Sequence, residues 1–443
     1  MKTVINDVLG IGFGPSNLAV AIALREANFT GSTKYLEAQQ NFAWQPSMLL
    51  PGSDIQHNPL RDLITPVNPL SPFGFVNYLH RSGHFFEYLN LGATFPLRRE
   101  FADYVKWAAD KFCSDVVYGT KVERLRIVER PGIGSLFEAI TADGGCHLGR
   151  IALLGSGRSA NIPDVFAGAI GPRVFHLNDY LPRIEQLERV GRVAVVGASQ
   201  SAVEIMLDLD SRFPNAEVFA LMRSFGYRLK DVSPFTGEVF FPEFTDYYHS
   251  SSRESRSQLA HELRATNYSA ADADVINQLY LRRYESRLEG RYDHIVIVNN
   301  TRISACRLTN DRVVLDLQDR HCDDHRELAF DAVVLATGFL DHGTGGQREL
   351  AHPLLEELES HYRFNLEYGF DVARDYRLIS DEAPPIYLNG LCESSHGFGD
   401  AGSFSLLSLR AAEIVRSLTE ACSELATTES SLTKAPTLRA ALG

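Results

Sequence analysis

Several common chemistries are missing from this chain. Its six cysteines, Cys113, Cys146, Cys306, Cys322, Cys392 and Cys422, stand singly with no Cys-x-x-Cys pair. That excludes a zinc ribbon, a thioredoxin-type motif and a disulfide framework, and suits free thiols in a reducing compartment. No apolar run reaches the roughly 18 residues that a membrane-crossing helix needs. The start, Met1-Lys2-Thr3-Val4-Ile5-Asn6-Asp7, has no signal-peptide core. Positive charge is the scarcer sign: 43 Lys and Arg against 56 Asp and Glu leave a net charge of −13, with no polybasic run. This argues against a nucleic-acid binder and against docking on a membrane surface. There is no Gly-x-Ser-x-Gly elbow, no His-Glu-x-x-His and no Walker lysine motif. His57, His249, His261 and His396 are isolated in the sequence, and no metal site is expected. A soluble, cytoplasmic protein is the expectation.

Composition is that of a folded globular chain, 44% hydrophobic and 22% charged over 443 residues, a length for two to three domains. Three segments share one grammar of apolar strand and small-residue turn, in two of them followed by a helical pattern. The first is Val8-Leu9-Gly10-Ile11-Gly12-Phe13-Gly14-Pro15 running into Leu18–Leu24. The second is Val193-Ala194-Val195-Val196-Gly197-Ala198-Ser199-Gln200-Ser201 running on to Leu209. The third is Ala332-Val333-Val334-Leu335-Ala336-Thr337-Gly338. Continuous apolar runs of this length read as parallel strands buried on both faces. Two such units about 185 residues apart predict an α/β fold with two Rossmann-like domains, the second inserted into the first. The boundaries expected are 1–170 for the first part of the first dinucleotide-binding domain, 171–225 with 290–330 for the inserted second one, and 331–422 for the completion of the first. A polar, aromatic-rich stretch, 226–289, reads as a mainly helical substrate lobe, and 423–443 as a flexible tail.

In the first turn, Gly10 permits a tight bend and Gly12 lets the backbone approach a pyrophosphate, with Gly14 and Pro15 opening the helix. Glu37 follows about 23 residues on, where an acidic strand end would accept ribose hydroxyls. In the second turn Ser199 replaces a fingerprint glycine after Gly197. The strand after it ends in Arg223, where an arginine favours the 2′-phosphate of NADPH over a bare ribose. Ala336-Thr337-Gly338 is the kind of turn that closes a cofactor site in two-dinucleotide flavoproteins. A flavin plus a nicotinamide is the economical reading, with the cofactors carrying the chemistry. The absence of a redox cysteine pair near the first turn excludes a disulfide reductase.

From Asp7 to about Ile414 the chain resembles the microbial N-hydroxylating flavin monooxygenases of the L-ornithine, L-lysine and diamine type. The resemblance is carried by Gly10–Asn17, Ile55-Gln56 with Leu60-Arg61-Asp62-Leu63, Asn68–Phe73, Phe75–Leu79 and Arg99–Tyr104. Further blocks are Gln200–Glu204, Asp231–Phe235, Glu238-Val239-Phe240, Thr266–Ser269, Ala336–Phe339, Arg374–Leu378 and Ser395-His396-Gly397. It implies that FAD lies on Gly10, Gly12, Gly14, Pro15, Glu37, Trp44, Gln45, Gln56, Val122, Ser405, Leu406 and Leu407. It further implies NADPH on Gly197, Ser199, Gln200, Ser201, Arg223, Asn267, Ala336, Thr337 and Gly338. Gln56 and Asn267 would stand at the reacting centre, with Arg61, Gly237, Asn267 and Ser408 toward the substrate. The implied reaction is N-hydroxylation of the primary amine of L-ornithine or a related amino acid through a C4a-hydroperoxyflavin formed from O2, in siderophore or natural-product biosynthesis, by a homo-oligomer that is commonly a tetramer.

Four positions depart from the family. Arg61 stands where its amino-acid hydroxylases carry a carboxylate-binding lysine. Gly237 replaces a substrate asparagine, Gln45 replaces a histidine, and Asp400–Ser405 aligns only with a one-residue insertion. The alternatives are the same chemistry on lysine, aspartate or a diamine, or an uncoupled NADPH oxidase or flavin-binding protein.

Overall fold

The structure, a computed structural model, describes residues 4–187, 190–343 and 348–433. Its first sheet contains β1 (Ile5–Ile11), β2 (Thr33–Leu36), β3 (Val116–Val117), β4 (Val122–Arg130), β5 (Gly134–Thr141) and β6 (Cys146–Leu154), in the order β3-β2-β1-β6-β5-β4. A late strand, Ile386–Leu388, adds in parallel to β6. Val8, Leu9 and Ile11 of β1 are fully or nearly fully buried, as the apolar run requires, and β1 is parallel to both neighbours, with Gly10 opposite Tyr35 and Leu153. Helix α1 (Pro15–Glu26) follows the glycine turn, and α2 (Arg98–Ala109) lies further along the chain. The C-terminal helix Leu407–Thr433 packs on α1. Its Ala411, Ile414, Val415, Leu418 and Ala421, all buried in the first core, fall at the three- and four-residue spacing of one helical face.

The second sheet is wholly parallel. Its strands are β7 (Val174–His176), β8 (Arg192–Val196), β9 (Glu217–Leu221), β10 (Ile295–Val298) and a later strand, Ala332–Leu335, which lies between β8 and β7. Helix α3 (Gln200–Arg212) connects β8 to β9, a parallel crossover. One face of this sheet meets Ala202, Val203, Ile205, Met206 and Leu209 of α3. The other meets Val313, Leu315, Leu317 and Phe330 of a three-stranded antiparallel sheet. That sheet is built from β11 (Thr301–Leu308), β12 (Val313–Asp319) and β13 (His325–Phe330).

The strand Ala332–Leu335, expected to begin the completion of the first domain, is thus a member of the second sheet. Every residue in it is buried, and its register sets Val334 opposite Val195 and Phe175. The chain rejoins the first sheet only at Ile386. Between β10 and the second turn lie helices α4 (Pro242–Ser250), α5 (Arg253–Glu262) and α6 (Ala273–Leu288), the helical stretch expected between 226 and 289. Leu279 of α6 and the preceding Ala271 are buried in the core of the second sheet. Residues 423–433, expected to be part of a flexible tail, continue the C-terminal helix, while 434–443 lie outside the described residues. Among the described residues no helix is long and apolar enough to cross a membrane.

Candidate functional site

Backbone geometry at the first turn leaves no room for a side chain at Gly10 or Gly12. A Cβ on Gly10 would stand 2.2 Å from the Tyr35 ring, and one on Gly12, whose φ is +82°, would stand 2.5 Å from the Gly155 carbonyl oxygen. Gly14 caps α1 without a side chain, Pro15 takes the first helical position, and no acidic residue occupies the first turn. The first N–H groups of the helix and its positive dipole end are therefore free for an anion. Glu37 closes the turn: its carboxylate accepts from the backbone N–H of Phe13 at 2.6 Å and of Gln39 at 2.8 Å.

Behind this turn runs a buried polar network without a sequence motif of its own. Asn17 donates to the Gly12 carbonyl at 2.8 Å and accepts from Asn389 at 2.9 Å. Arg410 donates to Asn389 Oδ1 at 2.9 Å and to Ser16 Oγ at 3.0 Å, and is paired with Asp400 at 2.8 Å. Through Ser16 and Asn389 this paired guanidinium braces the N-terminus of α1 from behind.

The expected second turn is built the same way. Gly197 has φ +146°, and a Cβ there would lie 2.4 Å from the Ala336 carbonyl oxygen. Ser199 precedes α3, its side chain making no capping bond, and the first turn of the helix again lacks acidic residues. Gly338, with φ +76°, accepts from the Asn161 N–H at 2.9 Å and from His176 at 2.9 Å. Ser199, Thr337 and Gly338 line a cavity of about 310 Å³ together with Tyr268, Asp341 and Glu393. Arg223 lies just past β9 and is exposed. The two turns thus fit two dinucleotides: each is a glycine cradle that a Cβ would fill, opening onto a helix N-terminus without acidic side chains.

Between the turns the structure brings together residues far apart in sequence. Gln56, with φ +58°, donates from its side-chain amide to Asp272 at 2.6 Å. The backbone N–H of Asp272 donates to Gln200 Oε1 at 2.8 Å, and Gln200 donates in turn to Glu204 at 3.0 Å. Glu204 forms a buried two-pronged pair with Arg98 of α2, both contacts at 2.8 Å. Burial raises the Asp272 carboxyl, and burial with its acidic neighbours brings Asp54 up to about 6. Trp44 packs edge-on against Phe101 and Phe404, and Gln45 has φ +47°. His57 stacks on Phe404 with 5.5 Å between ring centroids. Its Nδ1 bonds the Ile55 carbonyl at 2.8 Å, so Nδ1 carries the proton, and burial lowers the imidazole to about 4. His57 Nε2 is then a buried acceptor without a partner among the described residues.

A third group gathers near Asn267, which donates to the Phe398 carbonyl at 3.4 Å. A Cβ on Gly402 would touch both Asn267 and Tyr268, so the 400–405 segment lies directly against them. Tyr268 bonds Glu393 at 2.5 Å and accepts from Arg158, which also pairs with Asp341 at 3.0 Å. Burial pushes the Glu393 carboxyl well up. Arg61 is half-buried, with Nη1 3.2 Å from Ser405 Oγ and its guanidinium carbon 6.0 Å from the Phe240 ring centre. It meets no carboxylate among the described residues. A Cβ on Gly237 would find open space. Leu406, Leu407 and Ser408 are buried at the start of the C-terminal helix, and Ser408 Oγ has no hydrogen-bond partner among the described residues. Val122 is buried at the start of β4, opposite Thr141.

Sequence reasoning did not single out Asp272, the Arg98–Glu204 pair or the Arg410 network. It also set His57 aside as an isolated histidine. These are long-range pairings that leave no local pattern. His249 and His396, isolated in sequence, are neighbours here, their ring centroids 4.8 Å apart.

Comparison with known proteins finds one family and several similar chains. The family described as L-lysine 6-monooxygenase/L-ornithine 5-monooxygenase matches residues 4–341. An L-ornithine N(5)-monooxygenase of Burkholderia cepacia is 38% identical over 414 residues, 88% of this chain and 89% of that protein. Among solved structures, the ornithine hydroxylase PvdA of Pseudomonas aeruginosa aligns with a TM-score of 0.86 at 33% identity, covering 94% of this chain and all of the other. The Kutzneria sp. 744 ornithine N-hydroxylase KtzI, solved with reduced FAD, NADP+ and L-ornithine, aligns with a TM-score of 0.86 at 31% identity, covering 94% and 99%.

Proposed function

Because the chain belongs to the L-lysine 6-monooxygenase/L-ornithine 5-monooxygenase family, we propose that it is an FAD- and NADPH-dependent monooxygenase that N-hydroxylates the primary amine of L-ornithine or a closely related amino acid. The observation that carries this is the pair of glycine cradles joined through Gln56, Asp272 and Gln200. FAD belongs on the first cradle, with Gly10, Gly12, Gly14, Pro15, Glu37, Trp44, Gln45, Gln56, Val122 and Ser405–Leu407. NADPH belongs on Gly197, Ser199–Ser201, Arg223, Asn267 and Ala336–Gly338. When bound, the flavin reduced by NADPH supplies activated oxygen from O2.

The protein's own part is to bind, orient and keep water out. Arg61, which meets no carboxylate among the described residues, receives the substrate carboxylate, with a fork suited to two-pronged contact. A plain diamine would leave that half-buried guanidinium without an anion. Asn267 holds the amine end, Ser408 Oγ offers a buried polar atom to the substrate, and Gly237 leaves space. The reacting amine must be neutral, and a free primary amine titrates at roughly 10, so hydroxylation is favoured on the alkaline side. The rings of Trp44, His57, Phe101 and Phe404 wall the flavin region against water, which suits a site whose oxygen must reach an amine rather than a proton.

The hydroxylamine formed fits siderophore or natural-product biosynthesis, in the cytoplasm. Assembly as a homo-oligomer, a tetramer by family resemblance, is supported by Tyr280, Leu281, Tyr284 and Leu288, all exposed on α6. The test is the FAD-loaded enzyme with NADPH and O2 against ornithine, lysine, aspartate, putrescine and cadaverine, measuring hydroxylamine and peroxide. Ornithine or a near relative should give hydroxylamine. Peroxide alone with every amine would mark an uncoupled oxidase instead.

A further inference from the structure

Three segments converge where β9 ends. The Met222 N–H donates to the Val298 carbonyl at 3.0 Å, the Thr301 N–H to Met222 at 2.9 Å, and the Asn300 N–H to Ser224 at 3.0 Å. Asn300, with φ +48°, makes the tight turn from β10 into β11. Onto this junction the turn after β12 sets Arg320. Its backbone N–H donates to the Asn300 carbonyl at 2.8 Å, and its Nη1 donates to the Arg223 carbonyl at 2.8 Å. A guanidinium from the three-stranded sheet is thereby fixed beside the arginine that ends the second Rossmann strand pair.

The acids of the same turn are engaged elsewhere. Asp319 accepts from the backbone N–H groups of His321 and Cys322, Asp323 faces His325, and Asp324 pairs with Arg326. Among the described residues neither Arg223 nor Arg320 forms an ion pair, and both are exposed. In a chain of net charge −13, two arginines joined at the Arg223 carbonyl and in no ion pair among the described residues leave local positive charge uncompensated. One Nη1–carbonyl bond leaves the remaining N–H groups of Arg320 for a phosphate oxygen.

We propose that Arg320 is a second anchor for the 2′-phosphate of NADPH, so that coenzyme choice is set jointly by Arg223 and an arginine delivered from a different sheet. This rests on the reading of the second cradle as the NADPH site. It deepens that reading by naming a specificity residue outside the Rossmann unit, about a hundred residues from Arg223 in sequence.

The experiment uses FAD-loaded enzyme and two binding probes, 2′,5′-ADP and 5′-AMP, measured by titration calorimetry, alongside kcat/KM for NADPH and NADH. Arg320→Gln should weaken 2′,5′-ADP about tenfold, the loss of one charge-assisted contact, and lower the NADPH-to-NADH ratio similarly. Binding of 5′-AMP, the flavin spectrum and NADH turnover should stay as in the parent. Arg320→Lys, keeping charge but losing the fork, should fall between. Unchanged 2′,5′-ADP binding in Arg320→Gln overturns the proposal, and an equal loss for both probes overturns it too, since that marks a residue that only shapes the loop. Arg223→Gln separates the two levels: if it also leaves 2′,5′-ADP binding unchanged, the NADPH placement itself fails.

Discussion

An arginine half-buried beside serine hydroxyls behaves differently from a lysine in the same place. Arg61 offers several fixed N–H donors, one of them spent on Ser405, and its fork reaches a carboxylate at another distance and angle than an ammonium would. Arg61→Ala should raise KM for ornithine about 30-fold, the equivalent of roughly 2 kcal/mol for a charge-assisted contact. FAD affinity and NADPH oxidation without substrate should be unaffected, and turnover of putrescine should not fall. An ornithine KM unchanged in steady-state assays would remove Arg61 from the carboxylate. His57 makes a second prediction at this scale. Its imidazole is lowered by burial from 6.5 to about 4, so between those values the unfolded chain binds a proton at this site and the folded chain does not. The stability that the neutral ring contributes is complete above pH 6.5 and is lost as pH falls toward 4, about 3 kcal/mol in all. His57→Phe keeps a ring against Phe404 without the titration. The difference in unfolding free energy between parent and variant, from urea melts, should therefore shift against the parent by about that amount from pH 7 to pH 4. A difference that stays flat with pH would mean the ring is protonated in the folded protein.

Strand, turn and helix are where the sequence was most readable, because a continuous apolar run, a glycine bend and a helical apolar stripe are local signals. The segments beginning at Val8 and Val193 both form strand–turn–helix units as expected, and the third run does form a strand. Which sheet that third strand joins was not readable. Ala332–Leu335 is buried on both faces, and such a strand carries the same apolar run whichever sheet accepts it. Its partners β7 and β8 are set by long-range packing. Glycine identity in the first turn, by contrast, has a sharp consequence. Gly12→Ala would adopt φ +82° with its Cβ 2.5 Å from the Gly155 carbonyl oxygen, a position that costs about 1–3 kcal/mol of strain and moves the cradle against the 155–157 segment. Purified Gly12→Ala should melt at lower temperature and lose FAD on gel filtration. Gly14→Ala, whose Cβ meets nothing within 4 Å, should keep the parent's melting temperature. Equal stability of the two variants would show that the turn relaxes freely.

For the whole molecule the decisive contacts run between the two Rossmann-like bodies, and no local pattern announces them. Gln56 reaches Asp272 across 216 positions, and Arg98 reaches Glu204 across 106. Glycine turns therefore pointed to both cofactor cradles while leaving their mutual orientation open. Arg98 and Glu204 are only 9% and 5% exposed at their side chains. Arg98 also donates to the carbonyls of Met48 and Asp54 at 3.0 Å, so one guanidinium ties α2, the 48–54 segment and α3 together. Removing one partner leaves the other charged and buried, which costs roughly 3–5 kcal/mol, whereas replacing both with apolar side chains of similar volume is often neutral or stabilising. Arg98→Met and Glu204→Gln should each lower the melting temperature markedly, and the double variant Arg98→Met with Glu204→Leu should recover most of the loss. If the pair also fixes how the second body sits on the first, the double variant should fold well yet convert a smaller share of NADPH oxidised into hydroxylamine, with the remainder appearing as peroxide. Recovered stability with parental coupling would make the pair a fastening alone. Strictly additive losses across the cycle would show that the two residues do not act together.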